Sequence, residues 1–115
     1  MKDLKSMLLA PENTALPVNI LGADAFIRRI TAFEAETYDE KQTELRAADD
    51  SLGIARSTAA FILSALVDEN GVPVPAKSLP TPDELLKSRS NAALIDAVET
   101  ITRHSWGTLE DAKKN

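Results

Sequence analysis

The run Ile54 to Val67 constrains this chain more than any other stretch. Ile54, Ala55, Ala59, Ala60, Phe61, Ile62, Leu63, Ala65, Leu66 and Val67 leave it almost no polar face. A helix that is apolar all round belongs at the centre of a domain, packed on several sides. The pattern predicts that this helix runs to Asp68-Glu69-Asn70-Gly71, where Asn70-Gly71 is a strong turn signal. The rest of the chain has to wrap it. With 115 residues, there is enough for one domain with a real core and no covalent staples. None is available, because the chain has no cysteine, which also excludes thiolate metal sites and a cysteine nucleophile.

The segments on either side read as further helices. Residues 2–9 place Leu4, Met7 and Leu8 on one side of a short helix that Pro11 stops. Residues 10–22 read as loop or a short extended piece around Leu16-Pro17-Val18-Asn19-Ile20, since Pro17 imposes extended geometry on the residue before it. Phe26, Ile27, Ile30 and Phe33 then recur at spacings of three and four. That stripe predicts a long helix from Gly22 or Ala23, continued less regularly by Tyr38 and Leu45. Asp49-Asp50-Ser51 supplies a break and an N-cap. Val72 to Pro80 holds three prolines and is an irregular connector. Thr81-Pro82-Asp83-Glu84 is a full helix start: a capping threonine, proline at the first helical position and a glutamate that reaches back. Ser88-Arg89-Ser90-Asn91 bends or restarts that helix, and Ala92, Ala93, Leu94, Ile95, Ala97, Val98 and Ile101 give the last one a broad apolar side. The expected fold is all-α, a single helical domain over 1–115. It has an N-terminal arm at 1–15 and a frayed tail at 108–115, with room for a short extended or hairpin element near 16–21 and 66–75.

Chemistry is hard to find in these residues. His104 is the single histidine, with only Thr102, Arg103 and Ser105 beside it, and it reads as a basic residue near a helix C-terminus. Glu34, Glu36, Asp39, Glu40 and Glu44 are interleaved with Arg28, Arg29, Lys41 and Arg46 on the polar side of a helix, which is a solvated face. Asp68-Glu69-Asn70-Gly71 is too short for a calcium loop, and Gly22-Ala23-Asp24 lacks the second glycine and the lysine of a phosphate loop. The expectation is a protein that is not an enzyme, with no metal and no cofactor. Thirteen basic residues against eighteen acidic ones give a net charge of -5, which argues against neutralising phosphates. Five aromatic residues are too few for a base-stacking platform. The most apolar stretch, Ala59 to Val67, is about half the roughly 20 residues of a membrane span. Met7-Leu8-Leu9-Ala10 is too short for a signal-peptide core. The expected partners therefore include neither nucleic acid nor membrane, and the expected location is the cytoplasm.

What remains is surplus apolar helix surface, which suits protein binding. The candidate residues are Phe26, Arg29, Ile30 and Phe33 in the first long helix for partner binding. In the last helix Leu94, Ile95, Val98 and Ile101 are candidates for self-association. Trp106, alone beyond the last apolar position, is either an anchor for the end of the core or a hot-spot contact. Arg28-Arg29 is a small basic spot of the kind that forms salt bridges.

Three stretches together resemble the tail assembly chaperones of lambda-like long-tailed bacteriophages. Ile20-Leu21-Gly22-Ala23-Asp24-Ala25-Phe26-Ile27-Arg28-Arg29-Ile30-Thr31-Ala32-Phe33-Glu34 is similar to their start, where a short extended segment leads into a helix that carries the Phe26-Ile27-Arg28-Arg29, Thr31 and Phe33-Glu34 pattern. Ala65-Leu66-Val67-Asp68-Glu69-Asn70-Gly71-Val72-Pro73 resembles the turn after their central helix. Pro82-Asp83-Glu84-Leu85-Leu86, with the alanine-rich helix from Asn91, is the third. The resemblance covers about 20 to 105. It implies a protein that binds the tape measure protein and helps the major tail protein polymerise around it. It further implies self-association into a ring or spiral, residence in the host cytoplasm and absence from the mature virion. Many such chaperones are made in a second, longer form by a minus-one frameshift, and the codons of Ala112-Lys113-Lys114 can hold a slippery heptamer. The alternatives are a structural component of the virion, such as a head–tail connector, and a small helical DNA-binding regulator. The acidic charge and the lack of a basic recognition helix count against the regulator.

Overall fold

The computed structural model describes residues 3–12 and 14–106, Trp106 by its backbone alone. The fold is predominantly helical but not all-α, because a small antiparallel sheet is built into it. Helix α1 (Leu4–Leu9) is capped by Asp3, whose carboxylate accepts from the Ser6 amide at 2.7 Å, and it ends at Ala10 in extended geometry just before Pro11. Strands β1 (Leu16–Ile20) and β2 (Ala23–Ile27) form a hairpin. Its two-residue turn is Leu21-Gly22, and both residues take positive φ, 54° and 79°. That is the turn geometry whose twist matches the strands it joins.

The pairing runs from Ile20 opposite Ala23 to Leu16 opposite Ile27. Ile20, Val18, Ala25 and Ile27 face inward, while Pro17, Asn19, Asp24 and Phe26 face out. In such a hairpin the closing pair is hydrogen-bonded and pairs alternate, so Pro17 falls at a position that owes the ladder no N–H. The short strand β3 (Leu66–Val67) pairs with the other edge of β2, Phe26 opposite Val67 and Ile27 opposite Leu66.

Here the structure corrects the expected long helix from Gly22 or Ala23. Residues 23–27 are a strand, and helix α2 (Ala32–Ala47) starts later. Phe26, Ile27, Ile30 and Phe33 therefore share no helix face. The left-handed Leu21-Gly22 turn folds 23–27 back on β1, and the true helix start is a capping box. Thr31 Oγ1 accepts from the Glu34 amide at 3.1 Å, and the Glu34 carboxylate accepts from the Thr31 amide at 3.0 Å.

Helix α3 (Ser51–Ser64) follows after a left-handed turn at Asp49, with Asp50 as its cap. It packs against α2, against α4 (Pro82–Ser88) and against α5 (Asn91–Trp106), as a central helix should. Two details differ from expectation. The helix ends at Ser64 rather than at Asp68, because Leu66 and Val67 are drawn into the sheet. It is also not buried all round, since Arg56 and Ala60 are exposed. The Val72–Pro80 connector is irregular, with a bridge from Val67 to Pro73 and a 3-10 turn at Ala76–Ser78. The capping box at Thr81 and Glu84 forms with Pro82 inside it.

The core gathers one side of every major element. Ile27, Ile62 and Ile101 are fully buried, and Ile20, Ile30, Phe61, Leu85 and Leu94 surround them. Each such side chain contributes about 1.5–3 kcal/mol by leaving water. Tyr38 stacks on Phe61 with ring centroids 4.1 Å apart, which ties α2 to α3. Beside them Gln42, also buried, donates from Nε2 to the Tyr38 and Thr58 hydroxyls.

Candidate protein-binding surface

The nine candidate residues divide sharply in the structure. Ile30, Leu94 and Ile101 are core, at 7%, 3% and 0% exposure, and are not available to a partner. Val98 packs partly buried against that core. Phe26 is half-buried on the outer face of the sheet, opposite Pro17. Arg29 is exposed and pairs with Glu12 at 3.3 Å. Phe33 and Ile95 are the ones that stand out into solvent, at 80% and 57%. The Trp106 side chain lies outside the described residues, as do the tail at 108–115 and the Ala112-Lys113-Lys114 run.

Phe33 sits at the rim of a trough. A hollow of about 340 Å³ lies between α2 and α3, lined by Phe33, Thr37, Tyr38 and Lys41 on one side and by Ser57, Ala60, Phe61 and Ser64 on the other. A second hollow of about 800 Å³ continues toward the start of α4, past Leu45, Gly53 and Arg56 to Pro82. The two share Lys41, Ser57 and Ala60, so they form one continuous trough along the α2/α3 seam. From Phe33 to Leu45 it follows α2 for roughly 18 Å, at 1.5 Å per residue. Ile95 lines a separate groove of about 350 Å³ between the N-terminal halves of α3 and α5, with Ile54, Ala55 and Leu94.

The third apolar surface is helix α1. Leu4, Met7, Leu8 and Leu9 of α1 are 67%, 57%, 73% and 71% exposed, and no residue of this helix is buried. Leu4, Met7 and Leu8 fall on one side at spacings of three and four. Proteins rarely leave several large apolar side chains together in water unless something covers them.

With this geometry, the chain matches the family model of phage tail assembly chaperone protein, TAC, over residues 3–115. The chain belongs to the phage tail assembly chaperones. No curated protein and no solved structure matches it.

In this tail assembly chaperone the trough's rim is held by a lock at the N-terminus of α2. Arg28 donates from Nη1 and Nη2 to the two Glu34 carboxylate oxygens at 2.9 and 2.7 Å. Its Nε reaches the Ser64 carbonyl at the end of α3, and Nη1 also reaches the Arg29 carbonyl. One side chain thus fixes the exit of β2, the start of α2 and the end of α3 to one another. The guanidinium holds the Glu34 carboxyl down at about 2, against an ordinary value of 4.5, and the Thr31 amide adds to this. A second pair, Arg56 with Asp83 at 2.8 Å, spans the far end of the trough between α3 and α4.

The basic spot Arg28-Arg29 is accordingly built into salt bridges. Glu36, Asp39, Glu40 and Glu44 are exposed on α2. No group of three or more His, Cys, Asp or Glu among the described residues could hold a metal ion. His104 lies in the last turn of α5, partly buried, and burial pushes its imidazole below the ordinary value, with Arg29 adding to the effect. Its Nε2 is buried without a hydrogen-bond partner among the described residues. The neighbouring Ser105 hydroxyl accepts from the Ile30 amide at 2.8 Å, so this end of α5 anchors the loop before α2. No helix among the described residues is long and apolar enough to cross a membrane.

Proposed function

We propose that this chaperone binds the tape measure protein and helps the major tail protein polymerise around it. It associates with copies of itself while doing so, works in the host cytoplasm, is left out of the mature virion, and performs no chemistry of its own. The observation that carries this reading is the apolar surface left open on a family member with a net charge of -5: α1, Phe33 and Ile95. A protein that must hold long, apolar helices until a tube encloses them needs such surfaces, together with enough charge to remain dissolved.

The test is co-expression with the tape measure protein of the same phage. The complex is expected to co-purify, and Phe33→Asp, at a side chain 80% exposed, is expected to weaken it without lowering the melting temperature. Mass spectrometry of purified phage particles is expected to find none of this chain. Its presence at stoichiometric amounts in particles would refute the chaperone reading in favour of a virion component. Salt-sensitive micromolar binding to duplex DNA would favour a regulator instead.

A further inference from the structure

We infer that Asn70-Gly71 is a self-modifying site, where the Gly71 backbone nitrogen turns the Asn70 carboxamide into a succinimide that water opens to aspartate and isoaspartate. The inference is independent of the partners proposed above. The chemistry needs an asparagine open to solvent, followed by a residue whose backbone nitrogen can reach the carboxamide. Asn70 is exposed, and the next residue is glycine, so no Cβ crowds the approach. The other asparagines are less well placed. Asn19 sits in β1 before the β-branched Ile20, and its carboxamide donates to Asp24 Oδ1 at 3.2 Å. Asn91 opens α5 ahead of Ala92, and Asn13 precedes the β-branched Thr14.

The step balances without any oxidant or reductant. Hydroxide takes the Gly71 amide proton, and the nitrogen attacks the Asn70 side-chain carbonyl carbon. A new C–N bond closes the five-membered ring. The old bond to the carboxamide nitrogen breaks, and that nitrogen leaves as ammonia with a proton from water, which restores the hydroxide. Water then adds to either ring carbonyl. Addition at the side-chain carbonyl restores the normal main chain as aspartate. Addition at the backbone carbonyl leaves the main chain running through the side chain, as isoaspartate.

The local fold sets both the rate and the consequence. The Asp68 amide donates to the Val72 carbonyl at 2.8 Å, the Gly71 amide donates to the Asp68 carbonyl at 3.0 Å, and Gly71 takes a φ of 81°. That is a tight turn followed by a left-handed glycine bulge. The Asp68 carboxylate also accepts from the Asn70 and Val72 amides, at 2.8 and 3.0 Å. The attacking nitrogen is thus engaged while the turn is closed, and the reaction draws on its local opening. The turn forms the tip of the hairpin that carries the Val67–Pro73 bridge and the bond from the Val74 amide to the Leu66 carbonyl. Isoaspartate adds one carbon to the main chain inside that turn. The loop then cannot close in the same register, and β3 loses its outer neighbour.

The test ages the full chain in buffer at neutral and mildly alkaline pH and follows the tryptic peptide 57–77 by chromatography and mass spectrometry. That peptide holds Asn70 as its one asparagine and has no glutamine. It is expected to gain one mass unit and to split into two products, one of them a substrate for an isoaspartyl methyltransferase. The rate should rise with pH, because the nitrogen must lose its proton, and should rise again when denaturant opens the turn. Asn70→Gln needs a six-membered ring and should leave the peptide unchanged over the same period. Gly71→Ala should slow the reaction several-fold when both chains are compared in denaturant, where strain in the folded turn plays no part. The isoaspartate-containing protein should melt below Asn70→Asp, which carries the same charge on a normal main chain. A wild-type peptide that stays unmodified while Asn19 or Asn91 reacts would overturn the inference. Aspartate as the sole product would also overturn it, since water would then have attacked the carboxamide directly. So would equal rates for wild type and Gly71→Ala in denaturant.

Discussion

The Arg28–Glu34 lock can be removed by a single conservative change. Glu34→Gln keeps a side chain that can accept from the Thr31 amide, so the capping box survives, but it removes the charge opposite Arg28. The drop of the Glu34 carboxyl from 4.5 to about 2 corresponds to about 3 kcal/mol if taken at face value. The carboxylate is 37% exposed and the guanidinium 21%, so solvent screens much of that, and about 1–2 kcal/mol is the expected loss. At about 4 °C per kcal/mol for a domain of this size, the melting temperature should fall by roughly 4–8 °C at pH 7.

The pH dependence gives the sharper check. Glu34 has a folded-state pKa below its unfolded one, so the pair's contribution is full above about pH 4.5 and drains away as pH falls toward about 2. The melting temperatures of wild type and Glu34→Gln, followed by circular dichroism, should therefore converge across that window. A gap that stays constant from pH 7 to pH 2 would show that the substitution acts through packing and that the lock carries no charge-dependent stability.

Three further outcomes follow from packing and backbone geometry. Leu94→Asp buries an unpaired charge in the core and should cost more than about 4 kcal/mol, enough to unfold most of the protein. Ile95→Asp, one residue away and 57% exposed, should leave the melting curve nearly unchanged. Thr81→Ala removes the hydroxyl that accepts from the Glu84 amide and should cost about 1 kcal/mol in denaturant unfolding. Gly22→Ala forces a side chain into a φ of 79° beside the Arg89 guanidinium and should cost about 1 kcal/mol, with no change at all if the hairpin turn is not left-handed there.

Most helix boundaries were legible because they are chemical. Thr81-Pro82-Asp83-Glu84 and Asp50-Ser51 do in the structure what capping residues do anywhere, and the family resemblance agrees with the match over 3–115. The sheet was harder to read. Phe26, Ile27, Ile30 and Phe33 satisfy a helical spacing by coincidence, since the first two belong to β2 and the last to α2. The signal against a helix there was present: Thr31-Ala32-Phe33-Glu34 repeats the Thr-x-x-Glu pattern of Thr81, and a capping box marks a start. Leu66 and Val67 had no such signal. They leave the helix because β2, forty residues earlier, offers them ladder partners, and no local pattern encodes that pairing.

Helix α3 shows why an apolar count misjudges a surface. Isoleucine and alanine both register as hydrophobic, yet they fill very different volumes. Around α3 the large residues Phe61 and Ile62 turn to α2 and the core, while Gly53, Ser57, Ala60 and Ser64 fall within one narrow arc on the side of the trough. The segment that reads as apolar all round is thus bulky on one side and small on the other. The small side lets Lys41 and Leu45 of α2 and Pro82 of α4 stand as walls above a shallow floor. At Gly53 the fit is close, because a Cβ would press on the capping Asp50 carboxylate and come within 2.8 Å of Leu45 Cδ2, so those side chains would have to shift. A centre built from large side chains alone would have filled this seam. The alternation of size around one helix, more than its hydrophobicity, gives the domain both a packed core and an open apolar trough.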